Sequence, residues 1–211
     1  MIRRWGFLLV LYGVFFSWYT SFGGPLGDDE IDGYIDALRV AGADENRLEV
    51  WRVFMESDSG DDFAMLNAIE LRDVPLPTDG AEPGENSADV LARYTQPFLG
   101  SALLNAAHPV MFGAAAAPAI DTWGIPGAET WTSGALIRYR SRRDLMEQAL
   151  HASGLDIHRF KVAAMEKTLA YPLDPWWHLG DPRLLLGLAV LIVGLILQVR
   201  AAGPRETQPT V

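Results

Sequence analysis

The residues that could do chemistry are few in this chain of 211 residues. There is no cysteine, which excludes a disulfide scaffold, a thiolate metal site and a cysteine nucleophile. No two of the four histidines stand three or four residues apart, the spacing that puts two imidazoles on one helix face, so we predict no metal site. Motifs for a serine nucleophile, a zinc protease, a phosphate loop or a dinucleotide fold are also missing, so we expect no cofactor and assign no catalytic residue.

Four polar residues are candidates for contact with a ligand: Asn67, Arg138, Tyr139 and His158. Asn67 and Arg138 stand in apolar stretches that predict strands, and a buried amide or guanidinium must find a hydrogen-bond partner. That partner is either a side chain of the protein or a ligand held between the two. Tyr139 could line a pocket for a flat compound, and His158 is either a solvated or capping residue or a ligand contact. We therefore predict a small apolar ligand as a candidate partner.

An arginine-rich segment, residues 138–143, holds four arginines in six positions. Such a density could bind nucleic acid, but the formal net charge of the chain is −10, and nucleic-acid binders usually carry a basic excess. Ser141 and Asp144 have the spacing of a helix capping box. The four arginines are therefore divided between the end of a strand and the first turn of a helix. We predict a solvated strand-to-helix junction and no nucleic-acid partner. Arg138 is the exception, because it lies in mid-strand and could point into a cavity.

The apolar periodicity of the central residues predicts the order strand, helix, strand, strand, helix, strand, with a second short helix before the last strand. That order indicates an α+β domain with a ferredoxin-like split βαβ arrangement over residues 60–174. Two amphipathic patterns, the second with Asp44 as N-cap, predict a helical lead-in over residues 28–58. The predicted strands are 63–71, 108–117, 130–140 and 167–173, and the predicted helices are 28–40, 44–57, one from Ser87, 141–151 and 157–167.

The stretches FAMLNAIELRD, ALIRYRSRRDLMEQA and HRFKVAAMEKTLAYPL resemble an uncharacterised branch of the dimeric α/β-barrel superfamily. The resemblance covers about residues 60–174 and implies the fold rather than a reaction. The superfamily includes monooxygenases of polyketide quinols, haem-dependent peroxidases, chlorite-degrading enzymes and stress-response proteins. It also implies a homodimer through the open face of the sheet, with a pocket in each half. The helices over 28–57 could cover that face instead.

Two uncharged apolar runs, Trp5–Gly27 and Leu184–Val199, lie near the ends of the chain. A membrane-spanning helix needs about 20 apolar residues. The first run predicts either an uncleaved anchor at 1–24 or a signal peptide, and the second predicts a span at 182–200 or a buried core helix. The tryptophans at 176 and 177 would form an interfacial belt, and Arg183 and Arg200 would reach the two headgroup layers.

The charges beside the two runs predict an orientation. Arginines precede the first run and follow the second, so by the positive-inside rule both termini are cytoplasmic. We therefore expect a two-pass protein of the cell (inner) membrane, with the lipid bilayer as partner, a disordered tail at 201–211 and an extracytoplasmic central domain. Residues 23–181 contain 26 acidic and 12 basic residues, a formal charge of −14 that would be repelled by anionic headgroups.

Two functions remain open on the sequence. The first is a membrane-anchored module that binds a ligand or assembles with a partner. The second is a cofactor-free oxygenase or isomerase acting on an apolar, quinone-like compound. An enclosed cavity in which Asn67 and Arg138 converge would favour the second function. The polar candidates are few, so we favour the binding or assembly module.

Overall fold

A computed structural model of the chain describes residues 2–174 and 180–202. The predicted aromatic belt at 176 and 177 and residues 203–211 of the predicted tail lie outside the described residues. The chain divides into two compact units, one made by the first and last helices and the other by the elements between them. The elements are α1 (Ile2–Tyr19), α2 (Asp28–Val40), α3 (Glu45–Glu56), β1 (Phe63–Leu71), α4 (Ser87–Leu104), β2 (His108–Ala114), β3 (Ser133–Tyr139), α5 (Arg142–Gly154), α6 (His158–Ala164), β4 (Met165–Leu173) and α7 (Pro182–Ala202).

The central unit is an α+β domain built on a four-stranded antiparallel sheet of order β2-β3-β1-β4. With α4 joining β1 to β2 and α5 and α6 joining β3 to β4, the order agrees with a ferredoxin-like split βαβ fold. β1 has the predicted bounds. The last predicted helix is shorter than expected, because Met165 is already extended and pairs with Leu71 of β1. Cross-strand pairing thus replaces the final helical turn that the local pattern suggested.

The strand register divides the side chains of the sheet between two faces. Phe63 of β1 is opposite Tyr139 of β3, and their rings stack at a centroid distance of 5.3 Å. Both rings pack with Ala102 of α4 and Leu145 of α5, so this face is the one covered by helices. Directly opposed residues point to the same face and successive residues alternate. The second face therefore carries the side chains of Leu66 and Leu136 and of their cross-strand neighbours.

The helices α2 and α3 extend the helical layer. Ile35 of α2 and Met55 of α3 share a buried cluster with Met146 of α5, and α3 begins with Asp44 accepting a hydrogen bond from the Arg47 N–H at 3.0 Å. These contacts involve α5 and not the second face of the sheet. That face is buried at its Arg138 end, whereas its β4 side chains are exposed. Leu169 of β4 is accordingly 43% exposed.

The first and last helices form an antiparallel pair. The Tyr12 hydroxyl of α1 donates to the Arg183 carbonyl of α7 at 3.0 Å, and a side chain on Gly194 would overlap the ring of Trp5. One helix among the described residues, Pro182–Ala201, is long and apolar enough to cross a membrane by length and composition. The apolar part of α1, Trp5–Tyr19, is shorter than that. The helix α1 is thus shorter than the expected first span at 1–24, because it ends before the glycine-rich segment 23–27.

Candidate ligand site in the helical layer

Each arginine of the segment 138–143 has a carboxylate partner within the chain. The Arg138 Nε lies 3.0 Å from an Asp62 carboxylate oxygen, and its Nη1 donates to the Ala106 carbonyl at 2.8 Å. Arg138 is 1% exposed, which makes it the largest fully buried side chain among those described. Arg140 pairs with Asp144, which also receives a hydrogen bond from the Ser141 hydroxyl at 2.6 Å. The predicted N-cap therefore forms, since the Ser141 Oγ also accepts from the Asp144 N–H at 3.0 Å, and the Asp144 carboxylate binds one of the arginines.

The last two arginines of the segment tie α5 to the helical lead-in. Arg142 is 4% exposed, stacks on the Phe54 ring and lies 3.6 Å from a carboxylate oxygen of Asp58. Arg143 holds both carboxylate oxygens of Glu30, at 2.8 and 2.9 Å. Its hydrogen bonds, with that of the Gly27 N–H, lower the pKa of Glu30 to about 2. The junction is therefore less solvated than predicted, because Arg142 is buried as well as Arg138.

Asn67 and Arg138 do not converge on one cavity. Arg138 is opposite Ala64, whereas Asn67 is opposite Ala135, so the two side chains point to opposite faces of the sheet. The Asn67 Nδ2 donates to the Met65 carbonyl of its own strand at 3.0 Å. Each polar group thus has a separate partner inside the protein. Whether either residue meets a ligand stays a prediction.

Tyr139 lies on the helix-covered face, together with a second tyrosine, Tyr94 of α4. Burial raises the pKa of Tyr94 to about 12. Burial also raises the pKa of Tyr139, with a further contribution from Tyr94. Phenols in such surroundings stay protonated at neutral pH and can act as hydrogen-bond donors.

His158 and Lys161 of α6 gather around Tyr94. The ring of His158 meets the ring of Tyr94 edge-on at a centroid distance of 6.3 Å, and the Lys161 Nζ lies 5.6 Å from the centre of the same ring. The opposite side of this aromatic platform is closed by Phe98, whose ring stacks on Tyr94 at 5.4 Å. An imidazole and an ammonium group are therefore held close together over one aromatic ring.

The electrostatics of this group are cationic. Burial lowers the pKa of His158, as do the charges of Lys161 and Arg47. Burial also lowers the pKa of Lys161, again with a contribution from Arg47. Within the described part of the chain, neither Lys161 nor Arg47 has a carboxylate within 4.0 Å. We call Arg47, His158 and Lys161 the cationic cluster.

An open cleft of about 500 Å³ runs along α6 beside the cationic cluster. His158 is the member of the cationic cluster that belongs to its lining, and Asp156 and Arg159 contribute further charged groups. Leu76, Pro77 and Val162 contribute apolar walls. The volume is in the range of small-molecule sites, about 300–1,000 Å³. Among the residues that the structure describes, no group of three histidine, aspartate or glutamate side chains could hold a metal ion.

The sequence predictions missed Lys161 and Arg47. Arg47 comes from the lead-in, about 110 positions before His158, so only the fold brings the two together. The sequence did contain a signal that could have identified Lys161. The chain contains only two lysines, and this one stands three residues after the histidine, the spacing of neighbours on one helix face.

Comparison with known proteins supports the fold alone. No protein-family model matches the chain, and no curated protein does. Two crystal structures of one protein of unknown function from Rhodopseudomonas palustris, one in methylated form, align at 22% identity with TM-scores of 0.51 and 0.50. They cover 63% and 62% of this chain and 93% and 94% of theirs. A dimeric protein of unknown function and ferredoxin-like fold from Bacteroides fragilis aligns at 13% identity with a TM-score of 0.34, covering 54% of this chain and 96% of its own.

Proposed function

We propose that the protein is a two-pass membrane protein whose extracytoplasmic domain is an assembly module that forms a homodimer through the open face of its sheet. The observation that carries the proposal is the uncovered apolar face itself. Leu169, Tyr171 and Leu173 of β4 are 43%, 42% and 37% exposed on that face. They continue a surface that includes Leu66, Leu136 and the exposed Met111.

A second copy of the chain is the partner that fits this face best. Contiguous apolar patches above a few hundred Å² are uncommon on monomers. A two-fold dimer covers the same patch on both copies at once, without requiring another protein. The resemblance to the dimeric α/β-barrel superfamily supports the same arrangement.

Anchoring by both terminal helices rests on α7 and on its seam with α1. α7 has the length and hydropathy of a span, and Gly187 and Gly194 let the rings of Tyr12 and Trp5 approach it closely. Small residues at such contacts are typical of helix pairs in membranes. The pairing supports insertion of α1 beside α7 although its apolar stretch is short, since a shorter helix is accommodated by local thinning of the bilayer.

The enzymatic alternative, a cofactor-free oxygenase or isomerase, receives no support from the geometry of the sheet. Its distinguishing feature was an enclosed cavity shared by Asn67 and Arg138, and these side chains lie on opposite faces. We therefore keep the assembly module as the proposed function.

The topology can be tested with single cysteines, because the chain has none of its own. We expect Val74→Cys, at a position 77% exposed, to react with a membrane-impermeant maleimide on intact cells. A cysteine at Gln208 should react only after the membrane is permeabilised. The reverse pattern would contradict the orientation, and labelling of both cysteines on intact cells would mean that one helix does not cross.

The dimer is tested with the full chain in detergent. Light scattering at micromolar concentration should give two copies per complex. Leu169→Glu places like charges in the proposed interface and should give monomers. Val53→Glu, at a position that is 55% exposed on α3, is the matched control and should stay dimeric. A monomeric wild-type chain, or equal dissociation of both variants, would refute the interface.

A further inference from the structure

The cationic cluster is an exception within an acidic domain. Nine of the ten arginines in residues 21–174 have a carboxylate within 4.0 Å, and Arg47 is the remaining one. Lys161 is also without a carboxylate at that distance within the described residues. In a segment with more than twice as many acids as bases, chance would supply such partners readily. Two unpaired cations beside a histidine are therefore a feature to explain.

The acids of the cleft lining and of the start of α3 have partners of their own. Asp156, which lines the cleft, pairs with Arg159, and the Asp44 carboxylate caps α3. Glu45 pairs with Arg39, at 3.3 Å. No carboxylate of the described residues lies within 4.0 Å of the Lys161 ammonium group. A half-buried ammonium that lacks a counter-ion is unfavourable, and an anion from outside the chain would relieve that cost.

The surroundings also indicate the kind of anion. The cluster offers an ammonium, an imidazole and a guanidinium, which are the donors that bind a carboxylate through charge-assisted hydrogen bonds. The adjoining cleft offers the apolar walls of Leu76, Pro77 and Val162. An inorganic anion would use the charges and leave those walls empty. An organic acid would use both.

We propose that the cleft beside α6 binds a small organic acid, with its carboxylate held by His158 and Lys161 in the positive field to which Arg47 contributes, and its apolar body against Leu76, Pro77 and Val162. The site is separate from the sheet face proposed for dimerisation, so either proposal can fail without the other. It revises the sequence prediction of an apolar ligand to an amphipathic one. Of the four residues predicted to contact a ligand, it retains His158.

The scarcity of lysine gives the proposal a direct test. Reductive methylation with ¹³C-formaldehyde would label only Lys161, Lys167 and the amino terminus, and it preserves their positive charge. Lys167 is the internal control, because its Nζ lies over the Trp131 ring at 4.8 Å and donates to the Gly127 carbonyl. The full chain in lipid nanodiscs is titrated with benzoate, with empty nanodiscs as the blank.

We expect benzoate to shift the Lys161 signal saturably and to raise its pKa, because a bound anion favours the charged amine. The Lys167 signal should not move. Lys161→Gln and Arg47→Gln should each weaken benzoate binding by about tenfold, while Lys167→Gln should leave it unchanged. Benzamide, which has the same ring without the charge, should bind more weakly than benzoate by a similar factor.

Several outcomes would overturn the proposal. An unmoved Lys161 signal would leave the amine with only its contact to the Tyr94 ring. Equal binding of benzamide would remove the role of the charge, and equal binding of inorganic phosphate would remove the role of the apolar walls. The unperturbed Lys167 signal in the Lys161→Gln protein serves as the check that the variant is folded.

Discussion

Two groups of basic residues in this domain are arranged in opposite ways. In the segment 138–143 each of the four arginines has its own carboxylate, and Arg138 and Arg142 are buried. In the cationic cluster, the charge of Arg47 adds to the positive potential at Lys161, and neither residue has a carboxylate within 4.0 Å among the described residues. The segment that looks like a binding patch in the sequence is structural. The cluster is inconspicuous in the sequence, yet it has charge available for a ligand.

The difference follows from what each group must do in the fold. A buried charge is tolerated only when it is paired and hydrogen-bonded, so a buried structural arginine has a carboxylate of the same protein beside it. A charge that serves a ligand has to be free of such a partner until the ligand arrives. The presence or absence of a nearby carboxylate therefore distinguishes the two roles better than the density of arginines does.

Removing Arg138 should have the largest effect. The Arg138→Ala variant leaves Asp62 without its partner and the Ala106 carbonyl without its donor, and breaking a buried pair costs about 3–5 kcal/mol. Native-state hydrogen exchange of the β3 amides in the full chain would measure the loss. Arg143→Ala removes an exposed pair from the same segment and should cost less than about 1 kcal/mol. Equal losses would mean that burial does not distinguish the two arginines.

The Glu30–Arg143 pair should make the unfolding free energy of the domain depend on pH. The pKa of Glu30 is lowered from 4.5 to about 2, so the unfolded chain binds more protons between those values. Stability from this pair is therefore present above pH 4.5 and is lost as the pH falls towards 2. Glu30→Gln should flatten the dependence of the unfolding free energy on pH in that window. Arg143→Gln should do the same, because Arg143 is the main cause of the shift, and an unchanged slope in either variant would contradict the assignment.

His158 should give a smaller pH effect in a different window. Its pKa in the folded protein lies below the ordinary 6.5, so protons bind the unfolded chain more readily between the two values. Stability from this residue therefore rises with pH through the folded-state pKa and levels off near 6.5. His158→Gln should remove this part of the slope in urea unfolding between pH 5 and 7.5. A slope that survives the substitution would have to arise elsewhere.

Lys161→Met should have the smallest effect on stability, and with the opposite sign to that of Arg138→Ala. The substitution keeps the length of the side chain and removes a desolvated charge without a carboxylate partner, so we expect no loss and a gain of up to about 1 kcal/mol. Hydrogen exchange of the same β3 amides is the measurement. A loss of more than 1 kcal/mol would show that Lys161 is a structural residue like the arginines of segment 138–143.

Much of the secondary structure could be predicted from local pattern. β1, the start of α4 at Ser87 and the caps at Asp44 and Ser141 are all where the sequence predicts them. Each depends on residues within one turn or one strand. The predicted end of α6 was wrong because the pairing of Met165 with β1 decides where that helix stops. The helix predicted for the first apolar run was too long, because an absence of charge was taken for a continuous helix.

The candidate site was less predictable, since it depends on distant parts of the chain. Local alternation placed Asn67 and Arg138 on strands, but the register of β1 against β3 decided that they lie on opposite faces. The sequence by itself determined the order of the elements, the apolar helix at the C-terminus and the acidic charge of the domain, because these are sums or periodicities along the chain. Only the tertiary structure decided which charges are neutralised. An ion pair depends on distances of a few ångströms between side chains that the sequence places far apart, as with Arg143 and Glu30.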